Sequence, residues 1–330
     1  MKLEVLEVSA SPHIRVGDST SRIMWRVVAA LLPALAVSVW LFGMQAMRVV
    51  FVSVFVSVLT EFIIRNARKK DMTIGDGSAV ITGVLLAFVV PPTTPLWMVA
   101  IGAFCAIALC KEVFGGLGMN IFNPALASRA ILLAAFPVQM TAWITPDGIS
   151  CATPLAIIKE GGAAVVPETI DLFVGTIGGS LGETSAIALL IGGLYLIVSK
   201  VIKWEMPVVY LGGIALLSLF LGRDPLVAIL AGGAMLGGFF MITDMVTTPI
   251  TRMGGVVFAA GCAIITVVIR QWGGYPEGVC YSILIMNALT PLIDRVCMPR
   301  VFGKKKVIAP PVLKAAKSNC ATEAGCAGCK

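Results

Sequence analysis

The sequence predicts an all-α polytopic membrane protein, and three observations carry that prediction. Of its 330 residues, 58% are hydrophobic and only 13% charged, against roughly 25% charge in soluble domains. Mean hydropathy is +0.95. About ten apolar stretches approach or exceed the roughly 17–25 residues with which a helix crosses a bilayer.

Those stretches run 23–43, 47–64, 79–92, 95–110, 119–136, 185–202, 206–222, 225–243, 254–270 and 278–297. The third is short, and the eighth is interrupted by a Gly-Gly-Ala-Met-Leu-Gly-Gly core, so neither reads as an ordinary span. Residues 1–22 form a polar N-terminal segment. The first apolar stretch behind them has the length of a span and not of a cleavable signal. His13, the single histidine, precedes the membrane and reads as a surface residue.

The net charge of +7 does not point to nucleic acid, because the basic residues cluster at the ends of apolar stretches instead of forming one face. Arg22 and Arg26, the run Arg65 to Lys70, Lys111, Lys200 and Lys203, Arg252, and the stretch Arg295 to Lys317 all fall on one side if the chain starts inside. Arg48, Lys159, Arg223 and Arg270 fall on the other. The bias predicts an even number of crossings with both termini cytoplasmic.

An internal repeat divides the chain. Met119-Asn120, Asn123-Pro124 and Arg129 are echoed by Met286-Asn287, Pro291 and Arg295. Upstream of each copy an Asp leads a Gly-containing apolar run to Thr-Thr-Pro: Asp76 to Thr93-Thr94-Pro95, and Asp224 to Thr247-Thr248-Pro249. With five spans in each half, 23–137 and 185–302, the two copies cross in opposite senses, as in inverted-repeat transporters. Residues 138–184 join the halves and fall outside. A loop of that length invites a functional reading. Residues 303–330 are a cytoplasmic tail.

Within the joining loop the chain reads Asp147-Gly148-Ile149-Ser150-Cys151-Ala152-Thr153. Asp-Gly is a turn former, so a plain surface turn is one reading. The string also resembles the signal D-G-x-[S/T]-x-A-T, at which a flavin transferase joins FMN through its phosphate to a Thr hydroxyl. It is found in the D subunit of Rnf-type electron-transport complexes and in the B subunit of sodium-pumping NADH:quinone reductases. The resemblance covers residues from about 12 to 302, including Gly115–Ala125, Asp76-Gly77-Ser78 and the turn at Thr243-Asp244. Cys151 stands where that family commonly has Gly or Ser, and the length suits the Rnf subunit better.

The resemblance implies covalent FMN on Thr153, with Asp147, Gly148, Ser150 and Ala152 as recognition or orientation residues on an exposed strand. It also implies a second, noncovalent flavin such as riboflavin. The implied partners are the A and E membrane subunits, the flavin-bearing G subunit, the iron–sulfur B and C subunits, the maturing flavin transferase, and lipid of a bacterial inner membrane. No dinucleotide fingerprint is present, so NAD is served elsewhere in such a complex.

Other residues leave alternatives open. The amides of Asn120, Asn123 and Asn287, with Arg129 nearby, either bind a flavin edge or satisfy backbone groups freed by Pro124 and Pro291. Asp76, Glu112, Asp224, Asp244 and Asp294 lie at the ends of apolar runs, either as end groups or as partners of nearby Arg. Asp76 and Asp244 border broken segments and are the ion-pathway candidates. Cys105, Cys110, Cys262, Cys280 and Cys297 read as packing residues. Cys320, Cys326 and Cys329 form either a three-ligand metal cluster or a reactive tail.

Two function classes follow. One is a redox subunit relaying electrons through its flavin while ion movement is coupled to the transfer. The other is a channel or facilitator, because a ten-span inverted repeat also resembles the urea-transporter fold, and a scaffold does not fix a function. The flavin signal separates the two. A subunit of a quinone-linked sodium pump is a close variant of the first.

Overall fold

Ser19 and Gly43 bracket the first helix. Ser19 Oγ accepts from the Arg22 N–H at 3.3 Å, the ordinary N-cap bond. Gly43, at φ +61°, ends α1 (Thr20–Phe42) and at once precedes α2 (Met44–Ala67). A single residue thus reverses the chain between helices of 23 and 24 residues, which only the glycine conformation permits.

The computed structural model describes residues 18–160, 169–175, 177–183, 185–274 and 278–299. After α2 come α3 (Ser78–Phe88), α4 (Leu96–Ile107), α5 (Pro124–Ala135), α6 (Pro137–Met140), α7 (Pro154–Glu160) and α8 (Thr169–Val174). The second part holds α9 (Ala186–Val198), α10 (Glu205–Phe220), α11 (Pro225–Leu230), α12 (Ala234–Leu236), α13 (Arg252–Trp272) and α14 (Val279–Cys297). These helices belong to one unit ending at Cys297; the tail from Met298 is a separate one. Among the described residues no strand occurs, only an isolated bridge between Ile144 and Ser150.

Four helices, α1, α2, α13 and α14, are long and apolar enough to cross a membrane, and α3, α5, α9 and α10 are shorter apolar helices. The protein is therefore an all-α membrane protein. The two stretches that read as irregular in sequence come out short or broken: α3 has 11 residues, and Gly232-Gly233 separates α11 from α12. One expected boundary is corrected. The stretch 119–136 is helical only from Pro124, because Asn123 caps the helix from outside and Pro124 takes its first position. Two π-helical turns, Ala108–Glu112 and Gly237–Met241, continue α4 and α12.

Small residues set the packing distances. A methyl on Gly83 would come within 2.7 Å of Val54 Cα, so α3 lies directly on α2. Ser128 Oγ donates to the Gly102 carbonyl at 2.6 Å and ties α5 to α4. Where lipid offers no hydrophobic drive between helices, such close backbone approach and buried hydroxyl bonds supply the association. Large apolar side chains point outward instead, among them Trp40 and the stacked pair Phe51 and Phe55.

The connections gather at two ends. At one, Ser21 Oγ and Trp25 Nε1 donate to the Gly75 carbonyl, and Asp294 accepts from the Ile250 N–H. At the other, Thr93 Oγ1 donates to the Ala142 carbonyl, Lys159 Nζ to the Gly273 carbonyl, and the Leu181 N–H to the Val90 carbonyl. Helix α3 runs from the first end to the second.

Candidate functional site

The joining loop is built from local turn chemistry. Thr145-Pro146-Asp147-Gly148 forms a turn closed by Gly148 N–H to the Thr145 carbonyl at 2.9 Å, with Gly148 at φ +79°. Pro at the second position and a left-handed Gly at the fourth are what such a turn demands. Thr145 N–H to the Ile149 carbonyl and Cys151 N–H to the Trp143 carbonyl then zip a small hairpin. Asp147, Gly148, Ile149 and Ser150 at its tip, and Ala152 just beyond, are exposed.

Thr153 departs from expectation. It does not lie on an exposed strand; it is 4% exposed and caps α7, its Oγ1 accepting from the Ala156 N–H at 3.3 Å. The cause is local: Thr followed by Pro is a strong helix start. Leu155 is buried beside it, and Lys159 pins the far end of α7 to the Gly273 carbonyl just past α13. Cys151 packs against Gly178, and burial pushes its thiol above the usual range, against a weaker opposing bond from the Gly178 backbone. That leaves it a poor nucleophile at neutral pH.

The residues fit an attached flavin phosphate in chemistry. A hydroxyl is present, its neighbours are small, and the hairpin ahead of it is open to a modifying enzyme. Because Thr153 is buried, an attachment there would call for residues around 152–155 to lift.

A second cluster lies at the opposite end. Ser78, Thr82, Lys111, Asn120, Asn123, Thr243 and Asp244 line a cavity of about 90 Å³ whose remaining wall is apolar, including Val27, Leu85 and Phe240. The structure thus brings together three sequence candidates, Asn120, Asn123 and Asp244. Each is already engaged: Asn123 Oδ1 caps α5 through the Ala125 and Leu126 N–H groups, Asn120 Nδ2 donates to the Phe122 carbonyl, and Asp244 accepts from Val246 N–H and Thr247 Oγ1. Asp76 is half-buried in the turn before α3 and does not line the cavity. Arg129 and Asn287 are buried elsewhere, on α5 and α14. Neither amide atom of Asn287 has a hydrogen-bond partner.

Among the charges beside this cavity, sequence reasoning passes over Glu61. Lys111 Nζ bonds Glu61 Oε2 at 3.0 Å and Ser78 Oγ at 2.8 Å, and Arg65 Nε bonds Glu112 Oε1 at 3.1 Å. Glu61 and Arg65 are also paired, at 3.5 Å. All four side chains are buried, two acids against two bases. Glu112 therefore proves a partner of a nearby Arg, one of its two expected roles. Glu61 stands inside the apolar stretch 47–64, and an acid there was the available signal. Asp224 and Asp294 serve as backbone acceptors, for Leu226 and Ile250. Cys110, Cys262 and Cys280 are buried, as packing residues should be, while Cys105 and Cys297 are half-buried. Among the described residues no group of His, Cys, Asp and Glu has metal-site geometry. His13 and Cys320, Cys326 and Cys329 lie outside the described residues.

The family model for NQR2, RnfD and RnfE matches residues 7–303. The chain belongs to the NQR2, RnfD, RnfE family. Within this family it is 51% identical, over 92% of its own length and 96% of the relative's, to the D subunit of a Na(+)-translocating ferredoxin:NAD(+) oxidoreductase complex from Acetobacterium woodii. It is 46% identical, over 93% and 98%, to the D subunit of a proton-translocating ferredoxin:NAD(+) oxidoreductase complex from Clostridium ljungdahlii. A third relative, the D subunit of an ion-translocating oxidoreductase complex from Halorhodospira halophila, is 38% identical over 92% and 97%. Two relatives of similar identity are thus named for different ions, so membership of the NQR2, RnfD, RnfE family does not by itself select the ion.

Proposed function

We propose that this chain is the D-type membrane subunit of an Rnf-type ferredoxin:NAD oxidoreductase complex, carrying FMN on Thr153 and relaying electrons in a process coupled to Na⁺ or H⁺ translocation. The observation that carries the reading is the flavin signal itself, presented on an exposed hairpin and ending at a hydroxyl fixed where the loop meets the membrane helices. Bound there, the flavin supplies the electron chemistry. The protein's own part is to hold it and set its surroundings. Thr153 provides the ester oxygen, the Asp147–Gly148 turn presents the segment to the transferase, and Leu155 and Lys159 fasten it.

In this reading the chain crosses the bacterial inner membrane ten times as two inverted five-helix repeats, with the loop outside and both termini in the cytoplasm. The A and E membrane subunits, the flavin-bearing G subunit and the iron–sulfur B and C subunits complete the electron path. The cavity lined by Asn120, Asn123 and Asp244 lies at the inner end. Asn120 and Asn123 would hold a second, noncovalent flavin such as riboflavin. At about 90 Å³, against roughly 300–1,000 Å³ for small-molecule sites, the cavity admits such a ring only when its lining moves. Asp244, and Asp76 close by in sequence to Ser78, are the acids assigned to the ion pathway.

The test is Thr153→Val, which removes the hydroxyl and keeps the shape. With an active flavin transferase, the wild-type chain should give a fluorescent band after denaturation and an FMN-sized mass increment. The variant should lose both while still inserting in the membrane. Fluorescence retained by the variant rejects Thr153 as the attachment site.

A further inference from the structure

Between Gly178 and Glu183 the chain does something that neither a surface loop nor a membrane helix does. Leu181 and Gly182 donate their backbone N–H groups to the carbonyls of Val90 and Phe88, at 3.4 and 2.8 Å, where α3 ends. Ser38 Oγ on α1 donates to the Leu181 carbonyl at 2.6 Å. The residues from Ile177 to Glu183 are all buried. The segment thus satisfies the carbonyls that the end of α3 leaves open, which apolar surroundings demand.

The same segment reaches the other break. A methyl on Gly233 would lie 2.8 Å from Glu183 Oε1, so the carboxylate rests where the helical run 234–241 begins. On the neighbouring residue, Arg270 of α13 bonds the carbonyls of Ala228, Ala231 and Gly232 at 2.6, 2.9 and 3.3 Å, where α11 ends. An anion meets a helix start and a cation a helix end, the favourable sense at both. Gly232 and Gly233 themselves sit at φ +66° and +68°, a conformation that side chains resist.

The loop's flavin signal touches this arrangement twice. Cys151 packs on Gly178 at one end of the segment, and Leu155, two residues past Thr153, packs on Gly232 at the break. The loop and the break are therefore joined through Glu183 on one side and Leu155 on the other.

We propose that segment 177–183 is a latch fastening the cofactor-bearing loop to the break between α11 and α12, with Glu183 as its positioning residue, so that the coupling of ion movement to electron transfer depends on how the loop is held. This rests on the reading given under Proposed function. Arg270 holds the break from the helix side and Glu183 from the loop side. Neutralising Glu183 releases only the second.

The experiment uses the assembled complex in proteoliposomes, with Glu183→Gln and Glu183→Asp. Three quantities are read: flavin fluorescence of the denatured chain, hydrogen exchange of residues 143–155 and 228–236, and ions taken up per electron passed from ferredoxin to NAD. Glu183→Gln should keep the flavin band, raise exchange at least about tenfold in both stretches, and lower ion uptake per electron at least about threefold. Glu183→Asp, which keeps the charge on a shorter arm, should recover more than half of that coupling. Exchange rising in only one stretch, or an unchanged ion-to-electron ratio, overturns the latch. If Glu183→Gln fails to assemble, Glu183→Asp decides alone: its shorter arm should still raise exchange in both stretches and lower ion uptake per electron below wild type, and wild-type values in either readout overturn the latch. A wild-type complex with no covalent flavin and no ion uptake would instead refute the function proposed above, and the exchange comparison would still decide the latch.

Discussion

Thr153 caps α7 through its hydroxyl from a buried position, and in the proposed function the same hydroxyl is the one that takes the flavin phosphate, so the two roles pull in opposite directions. A Thr-Pro pair is a helix start, but the resemblance to the flavin signal points the sequence reading to an exposed strand instead. Its burial is not legible either, because the segment packs on parts of the chain far away in sequence, as Leu155 does on Gly232. The conflict makes a prediction. Leu155→Ala removes the side chain that holds the segment down, a deletion that typically costs about 2–5 kcal/mol at a buried site. Flavin attachment should then start at least about threefold faster, read as in-gel fluorescence against time of exposure to the transferase. An equal or slower rate would mean that Thr153 is reached without lifting the segment.

Among the elements, the π turn Ala108–Glu112 shows most plainly what a sequence conceals. Its bonding pattern leaves no mark in the residues, yet it sets Lys111 toward Glu61 and Ser78 and, one position on, Glu112 toward Arg65. Insertions of this kind recur at functional sites. The caps do leave a mark, Asn123 before Pro124 and Asp224 before Pro225, although the apolar run across 119–136 masks the first of them. The partners Glu61 and Lys111 lie 50 positions apart, so only the packing of α2 on α4 pairs them. Lys111→Met leaves the Glu61 carboxylate with only Arg65 and the Thr73 hydroxyl as partners, and breaking a buried pair costs about 3–5 kcal/mol. The solubilised protein should lose thermal stability accordingly. Adding Glu61→Gln should restore most of the loss, since neutral side chains leave no charge stranded. A double variant as unstable as the single one would show that the pair is not what supports this junction.

Across the whole molecule, hydropathy gave the class, an all-α membrane protein. The expected repeat rests on paired motifs in the sequence, Asp76 and Asp224 upstream, Pro124 and Pro291 downstream. The connections that hold the halves together were not visible, because backbone donors such as Leu181 and Gly182 have no sequence signature. The sidedness is open to direct measurement. Lys70 and Asp147 are both exposed, at opposite ends of the molecule. Introduced as Lys70→Cys and Asp147→Cys, they should differ in intact cells: a membrane-impermeant maleimide should label the second from outside and the first only after permeabilisation. Labelling of both from outside would refute the proposed topology.

The shortness of α3 has an electrical meaning. Its 11 residues span only about 16 Å, roughly half the hydrocarbon thickness of a bilayer, yet they are the chain's direct path between the polar cavity and the docked loop. A membrane potential falls across whatever insulator lies between two conducting faces, and where that layer thins the field steepens. Each charge carried from one end of α3 to the other exchanges up to about 2.3 kcal/mol per 100 mV with the cell's voltage. In the proposed topology the breaks would concentrate the voltage on this short stretch.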